Sequence, residues 1–342
     1  MAQHDPLSLL PDEQREALPE EPTPDWIAPM LATLTDDRFD DPDWIYERKL
    51  DGERVVAYKD GDDVSLLSRN RKRLNDTYPE LEEAIADQAI ERGIIDGEVV
   101  AFSRGVTSFE RLQARMQVKD RAEARESGVA VYYYVFDILH LEGRDVTGLP
   151  LLDRKRLLRA AVDWADPIRY TAYRRGRGTG FHKEACRKGW EGIIAKDGTS
   201  PYVSTRSTSW LKFKCVNRQE FVVAGFTDPS GERIGFGAIL IGVYENEVLH
   251  YAGRIGTGFD DATLKRLRMR LDEMEIDECP FVEEEEASGS GVHWVRPRLV
   301  AEAGFTEWTA EGKLRHPRFL GLRDDKEPEQ VHRERPEGGG GG

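Results

Sequence analysis

The chain has 342 residues, three cysteines and a formal net charge of -15. This length predicts two domains, each able to bury a core, and the odd number of widely spaced cysteines without a CxxC pair argues against a disulfide framework or a four-cysteine zinc site. No apolar stretch approaches the roughly 20 residues that cross a bilayer, and the amino terminus lacks a secretory pattern, so we expect a soluble protein of the reducing cytoplasm.

The acidic residues are concentrated in two segments. Residues 1–25 hold seven acids against one arginine, and residues 272–286 hold nine acids and no base, so the rest of the chain is near neutral. Basic clusters lie in that remainder, at residues 69–73 and 154–159. Such clusters are usually a solvated surface and bind nucleic acid only when they gather on one face. The net charge therefore does not exclude a nucleic-acid partner.

The pattern of the first two thirds of the chain predicts mainly strands. Residues 1–21, rich in Pro, Glu and Asp, are expected to be a disordered lead-in. The segments WIYERKL, RVVAYK and VSLLS predict an antiparallel meander with an Asp-Gly turn near Gly61. Further strands are predicted at GIIDGEVVAF, VAVYYYVFDIL, GIIAK and WLKFK, and helices at PELEEAIADQA and DRKRLLRAAVDW.

After Lys214 the pattern changes to short strands, EFVVAGFT, GAILIGVYE and EVLHYAGRIG, followed by the helical segment ATLKRLRMRLDEM. Short strands around one helix favour a small closed β-barrel such as the OB-fold, although a sandwich has a similar pattern. We therefore expect one domain over residues 22–216, a second over 217–328, and a flexible glycine-rich tail over 329–342.

Lys49 lies in the segment ERKLDGER, at the end of a predicted strand. The pattern K-x-D-G is weak by itself, because a surface lysine before a turn has the same appearance. Lys59 and Lys196 also stand beside Asp-Gly, and we interpret Lys59 as an ordinary hairpin residue. What distinguishes Lys49 is the ordered set of segments that follows it.

Six segments follow Lys49 in a fixed order: SRN at 68–70, DGE at 96–98, YVFD at 134–137, EG at 191–192 before Lys196, WLKFK at 210–214, and RHPRF at 315–319 running to RDDK at 323–326. In this order they resemble the nucleotidyltransferase motifs of ATP-dependent DNA ligases, over nearly all of residues 26–330. PMLAT at 29–33 and SFERLQARM at 108–116 resemble the ligase domain of bacterial and archaeal end-joining ligases. The resemblance implies an α+β fold, an ATP-grasp-like nucleotidyltransferase domain of antiparallel sheets with flanking helices, followed by an OB-fold barrel.

The chemistry expected of Lys49 is attack on the α-phosphate of ATP, with release of pyrophosphate and storage of AMP as a phosphoramidate. An attacking amine must be neutral, yet a lysine with a pKa of about 10.4 is unprotonated in about one molecule per thousand at neutral pH. We expect desolvation, Lys212, Lys214 and a bound divalent metal to lower the pKa of Lys49.

The resemblance implies a role for each further residue. Glu47 borders the adenine, Arg54 and Arg69 reach the AMP sugar and phosphates or the DNA 5'-phosphate, and Asp51 assists the attacking terminus in sealing. Glu98 holds the ribose, Phe136 stacks on the adenine, and Glu191 with Glu98 supplies ligands for Mg²⁺ or Mn²⁺. Lys196, Lys212 and Lys214 contact the nucleotide, while Arg323 and Lys326 move over the pyrophosphate as the second domain closes at a hinge near residues 215–219. The alternatives are core packing for Phe136, and exposed surface or tail charges for the acids, Arg323 and Lys326.

Other functions remain open at this point. An RNA ligase or an mRNA-capping guanylyltransferase also places a lysine in K-x-D-G, and a non-catalytic DNA-end binding module would keep the fold without the chemistry. An NAD-dependent ligase is disfavoured because the chain lacks four zinc-binding cysteines. The resemblance further implies a monomer, associated with the nucleoid, that acts on nicked or broken double-stranded DNA beside a Ku-like end-binding protein and a repair polymerase.

Overall fold

The computed structural model describes residues 5–103, 105–215, 217–229, 231 and 234–334. The chain divides into two compact units, one ending at Cys215 and the other extending from Val216 to Arg335. The division falls one residue before the boundary predicted from the sequence. Among the described residues, no helix is long and apolar enough to cross a membrane.

Twelve strands form the first unit. They are β1 Leu31–Leu34, β2 Trp44–Lys49, β3 Glu53–Asp60, β4 Asp63–Ser68, β5 Arg92–Ser103, β6 Val106–Thr107, β7 Val131–Leu141, β8 Arg144–Asp145, β9 Ile168–Tyr170, β10 Tyr173–Arg175, β11 Gly192–Asp197 and β12 Arg206–Lys214. One sheet has the order β1-β12-β11-β2-β10, and the other has the order β4-β3-β5-β7-β8, with β6 beside β5 and β9 beside β7. Most neighbours are antiparallel, and the β1–β12 and β7–β9 pairs are parallel.

The predicted meander is confirmed for β3 and β4, which pair from Val55 with Ser68 to Asp60 with Asp63. Its first strand was wrongly placed, because β2 lies in the other sheet, between β11 and β10. Gly61 occupies the turn between β3 and β4 with a φ of 59°, a left-handed conformation that glycine adopts without the steric cost of a β-carbon. On β4 alternate residues are buried, whereas β3 is buried on both faces.

Six helices accompany these sheets: α1 Asp12–Glu16, α2 Pro79–Ala86, α3 Phe109–Met116, α4 Arg121–Glu126, α5 Leu151–Ala161 and α6 Gly178–Arg187. Pro79 begins α2, a position where its missing N–H costs no hydrogen bond. Ser108 caps α3 by accepting a hydrogen bond from the Arg111 backbone N–H. Helix α2 lies within a segment that the sequence predicted as helical, and α5 overlaps the other predicted segment but begins two residues before it.

The predicted disordered lead-in is ordered in the described residues from Asp5 onward. A 3₁₀ helix over Pro6–Leu9 precedes α1, and Leu7, Leu10 and Leu18 are buried in the main core of the first unit. Burial of these leucines offsets the entropy lost on ordering the segment. The abundance of Pro and Glu concealed this, because three well-placed leucines are enough to dock a short segment.

The second unit contains a six-stranded sheet with the order β15-β14-β13-β17-β16, and β20 beside β17. The strands of this sheet are β13 Asn217–Thr227, β14 Ile239–Glu245, β15 Val248–Ile255, β16 Glu275–Ile276, β17 Val292–Phe305 and β20 Arg318–Leu322. A separate two-stranded sheet pairs β18 Glu307–Trp308 with β19 Leu314–Arg315. Helix α7, Asp261–Asp272, buries Leu264, Leu267 and Leu271 in this unit's core. The short helix α8 covers Glu284–Ala287.

The expected flexible tail also differs from the structure. Residues Pro328–Gln330 form a 3₁₀ helix, and Val331 is buried, with its carbonyl accepting a hydrogen bond from the Tyr244 N–H at 2.8 Å. One apolar side chain thus fixes the segment to strand β14. Residues 335–342, which include the terminal glycines, lie outside the described residues.

The expectation that the cysteines form no disulfide was wrong for one pair. Cys186 in α6 and Cys215 after β12 are joined by a disulfide across 29 residues of sequence. Spacing along the chain gave no sign of this pair, because the helix and the strand end meet only in the folded sheet. Cys279 is the free cysteine.

Candidate active site

The two sheets of the first unit are joined by an apolar cluster of Met30, Val56, Tyr58, Ile94, Phe136, Leu139, Tyr202 and Trp210. Phe136 on β7 packs edge to face on Trp210 of β12, with ring centroids 6.0 Å apart. Most candidate site residues of this unit lie along these facing strands or just beyond their ends. The cluster therefore sets the distance between the sheets at the site.

Lys49, Gly192 and Lys214 form a row across the first sheet. Gly192 on β11 is the register partner of Lys49 on β2 and of Lys214 on β12. A β-carbon at Gly192 would lie 2.1 Å from the Phe213 carbonyl oxygen, so no larger residue fits there. Two strand spacings, about 10 Å, thus separate the backbones that carry the two lysines, with no side chain between them.

The Lys49 amine is paired with the Glu191 carboxylate at 2.5 Å. Burial acts to lower the pKa of Lys49, but the carboxylates of Glu191, Asp51 and Glu98 outweigh it, and the pKa is raised above its ordinary value. The expectation of a lowered pKa is therefore wrong for the protein without ligands. The Lys49 amine can become neutral near neutral pH only when the negative charge of Glu191 is neutralised or moved away from it.

Substitution of Glu191 tests this electrostatic control. Glu191→Gln is expected to move the rise of the adenylation rate with pH to lower pH, because the carboxylate that raises the pKa of Lys49 is gone. The rate at saturating metal is expected to fall about 10- to 100-fold if Glu191 is the metal ligand that the sequence predicts. Single-turnover adenylation between pH 6 and 10 measures both effects.

The control is Glu184→Gln, which removes an exposed carboxylate of α6 paired with Arg174 and Lys188. This variant is expected to keep the wild-type pH profile. A Glu191→Gln profile that coincides with that of the wild type would show that Glu191 does not govern the protonation of Lys49.

Arg54 on β3 is held by a bidentate pair with Asp96 on β5, both contacts measuring 2.5 Å. The Tyr202 hydroxyl also donates to Asp96 at 2.7 Å, and Asp96 is fully buried. The Arg54 guanidinium lies 4.5 Å from the centre of the Phe136 ring. Arg54 is therefore fixed beside the predicted adenine platform, with its charge matched by an acid to which the sequence assigned no role.

Glu47 lies between two buried lysines. Its carboxylate contacts Lys155 at 2.5 Å and Lys196 at 2.6 Å, and all three side chains are at most 2% exposed. Burial lowers the pKa of Lys196 to about 8, with the charge of Lys155 adding to this and Glu47 opposing it. Lys196 lies 4.2 Å from the Phe136 ring and 3.9 Å from that of Trp210. Glu47 and its two lysine partners therefore lie next to Phe136, where adenine is predicted to bind.

The basic cluster at residues 154–159 is not the solvated surface that the sequence suggested. Arg154 and Lys155 are fully buried, and Arg154 donates to both oxygens of Asp137 at 2.8 and 3.0 Å. Arg156 remains half-exposed, paired with Asp153. Asp137 directly follows Phe136, so Arg154 supports the strand at the predicted adenine site.

The remaining predicted residues of the first unit take positions around this row. Asp51 lies between β2 and β3 and is buried, and Glu98 on β5 faces Arg54 in the strand register. Lys212 pairs in register with Ile194, itself the partner of Glu47. Arg69 follows β4, at the edge of the second sheet.

Arg323 and Lys326 lie in the second unit and are paired with acids of that unit. Arg323 contacts Asp325 twice at 2.9 Å and Glu302 at 3.2 Å. Lys326 contacts Glu220 at 2.8 Å. Both cations are therefore charge-compensated within the second unit.

A partly buried lysine that ends a strand and is flanked by carboxylates and cations is the arrangement expected of a nucleotidyltransferase site. A family profile described as "ATP dependent DNA ligase domain" matches residues 29–214, and one described as "ATP dependent DNA ligase C terminal region" matches residues 232–326. The chain belongs to the family of ATP-dependent DNA ligases. The predicted family, enzyme class and α+β fold with a second OB-fold domain are confirmed.

Similar proteins include "Multifunctional non-homologous end joining protein LigD" of Pseudomonas aeruginosa, 37% identical over 324 residues, which are 93% of this chain and 38% of that protein. The LigD repair protein of Mycobacterium tuberculosis is 37% identical over 91% of this chain and 40% of its own length. A solved structure of "mycobacterial DNA ligase D complexed with ATP and MES" has a TM-score of 0.65 at 34% identity, covering 90% of this chain and 98% of that one. The chain thus spans about two fifths of the length of these curated relatives.

Proposed function

We propose that this chain seals breaks in double-stranded DNA that carry a 5'-phosphate and a 3'-hydroxyl, with Lys49 as the carrier of AMP. The supporting observation is the position of Lys49 in one row with Lys214, beside three carboxylates and within a family of ATP-dependent DNA ligases. The relatives named for non-homologous end joining support a role in that repair process.

The proposed reaction has three steps. The neutral Lys49 amine attacks the α-phosphorus of ATP, a phosphoramidate bond forms, and pyrophosphate leaves while the amine loses a proton. An oxygen of the DNA 5'-phosphate then attacks the same phosphorus and releases Lys49. Finally the 3'-hydroxyl attacks the adenylated 5'-phosphorus, AMP leaves, and the phosphodiester is complete. Asp51, two residues after Lys49, is the proposed partner of the attacking terminus.

The carboxylates of Glu191 and Glu98 fit a Mg²⁺ or Mn²⁺ ion, which favours oxygen ligands and is usually held by one or two carboxylates together with substrate phosphates. Such an ion would neutralise charge on the phosphates. Glu191, once engaged by a cation, would no longer hold a proton on Lys49. The raised pKa of Lys49 supports this assignment, because the same carboxylates produce the shift.

Binding of the nucleotide is proposed for the residues around Phe136. Glu47 and Lys196 would lie beside the adenine, Glu98 and Arg54 at the ribose, and Arg69 at the phosphates or the DNA 5'-phosphate. Lys212 and Lys214 would stabilise charge on the α-phosphate. Alternate residues of one strand share a face, which allows both lysines to act on one group.

Arg323 and Lys326 are proposed to assist the departure of pyrophosphate, after rotation of the second domain at residues 215–219. Each would exchange its present carboxylate partner for a phosphate. The proposed partners are nicked or broken DNA, a Ku-like end-binding protein and a repair polymerase, and the proposed location is the cytoplasm at the nucleoid. The protein is proposed to act as a monomer.

Substrate comparison tests the proposal. The purified protein is incubated with Mg²⁺, a cofactor and a labelled duplex that carries one nick, either in DNA or in RNA. Sealing of the DNA nick with ATP, and not with GTP or NAD, is expected. Sealing confined to RNA, or an adduct formed from GTP alone, would instead identify an RNA ligase or a capping enzyme.

A further inference from the structure

The disulfide between Cys186 and Cys215 is accompanied by a histidine. His182 lies one turn before Cys186 on α6, so the two side chains project from the same face. Its Nε2 atom is 3.5 Å from the Cys186 sulfur and 3.9 Å from the Cys215 sulfur. Both cysteines are partly buried rather than enclosed in the core.

His182 provides a proton acceptor next to these sulfurs. Burial lowers the pKa of His182, the Lys214 carbonyl opposes this, and the positive charge of Arg38 lowers it further, so the imidazole is neutral at neutral pH. A neutral imidazole can accept the proton of an adjacent thiol, as a weaker base than an ordinary histidine, and the thiolate is the form that attacks a disulfide. The three side chains therefore combine a thiol pair with a base.

The same cluster holds the peptide bond that joins Lys214 to Cys215. The His182 Nε2 atom lies 3.2 Å from the Lys214 carbonyl oxygen, and the Cys215 N–H donates to the Glu191 carbonyl at 3.0 Å. Lys214 is the register partner of Gly192, which is in turn the partner of Lys49. A change at Cys215 can therefore affect Lys214, which is part of this row, and Glu191, whose carboxylate pairs with the Lys49 amine.

We propose that Cys186 and Cys215 form a reversible redox site, which exchanges with low-molecular-weight thiols and disulfides, and that the disulfide holds Lys214 in position for adenylation. On reduction, two small thiols supply two electrons and two protons, the Cys186–Cys215 bond breaks, and the products are two cysteine thiols and one small disulfide. Oxidation reverses each change. The effect on rate rests on the proposed adenylation by Lys49.

The experiment compares the oxidised and reduced protein in two assays. Alkylation followed by peptide mass spectrometry is expected to label Cys186 and Cys215 only after treatment with reduced glutathione, and to label Cys279 in both forms. Single-turnover adenylation is expected to be about threefold to tenfold slower in the reduced form, because Lys214 is held less firmly. Re-oxidation with glutathione disulfide is expected to restore the rate.

Variants separate the site from general effects of the reductant. Cys215→Ser and Cys186→Ser are expected to adenylate at the reduced rate under all conditions, whereas Cys279→Ser is expected to keep the full redox response. Because wild-type protein alone gives the comparison between redox forms, an unstable variant does not prevent the test. If neither form yields an adenylate while alkylation still changes, the proposed adenylation has failed and the redox chemistry stands.

Three outcomes would overturn the inference. Equal alkylation of Cys186 and Cys215 before and after reduction would show that no reversible disulfide forms. Equal adenylation rates in the two redox forms would show that the pair does not position Lys214. Protection of the reduced thiols that a zinc chelator removes would make His182, Cys186 and Cys215 a metal site instead.

Discussion

Lys49→Arg is expected to abolish the covalent adenylate. Arginine keeps a positive charge next to Glu191, but its guanidinium stays protonated and does not become a nucleophile at neutral pH. We expect the rate of adduct formation to fall by at least about 10⁴-fold, the scale seen when a catalytic nucleophile is removed. Intact-mass spectrometry after exposure to ATP and Mg²⁺, with peptide mapping of the modified lysine, measures this.

The matched control is Lys188→Arg, at the exposed end of α6, where an arginine can keep the pair with Glu184. It is expected to form the adduct at the wild-type rate. An adduct of undiminished yield in Lys49→Arg would place the nucleophile on another residue. The proposed three-step reaction would then lose its first intermediate.

Arg154→Met is expected to lower the free energy of unfolding of the first unit by about 3–5 kcal/mol. Both partners of the Arg154–Asp137 pair are fully buried, so the variant leaves the Asp137 carboxylate without its cation in an apolar interior. The guanidinium also donates to the Leu149 and Ser200 carbonyls, and these contacts are lost as well. Urea unfolding combined with hydrogen exchange of strand β7 measures the loss in this unit.

Arg156→Met provides the comparison two residues away on the same helix. Arg156 is half-exposed and pairs with Asp153 at 2.7 Å, so its removal is expected to cost less than about 1 kcal/mol. Similar losses in the two variants would mean that the buried pair contributes no more than a surface pair.

The strands and the lysine motif were predictable because both are local. Short apolar runs rich in valine and leucine located β3 and β4, and the turn at Gly61 followed from the Asp-Gly pair. The position of Lys49 at the end of β2 was predicted in the same way. Its pairing with Glu191 was not, because residues 142 positions apart meet through strand order, which periodicity does not report.

Buried charge was the main failure of the sequence analysis, although one signal was present. The buried stripe of α5 contains two leucines, Leu151 and Leu158, and two bases, Arg154 and Lys155. These four residues follow one another at helical spacing. That spacing places Arg154 and Lys155 on the stripe that faces the core. A base on an apolar stripe predicts a buried acid, here Asp137 and Glu47.

Five of the cations proposed to act on the nucleotide have carboxylate partners in the ligand-free protein: Lys49 with Glu191, Arg54 with Asp96, Lys196 with Glu47, Arg323 with Asp325, and Lys326 with Glu220. A phosphate that binds such a cation must displace the protein carboxylate that already neutralises the positive charge. Dissolved ions then compete weakly for these positions, since internal anions already hold them. Nucleotide affinity should consequently decline less steeply with ionic strength than it does in proteins whose phosphate-binding groups are bare, where each contact contributes close to one unit of logarithmic slope.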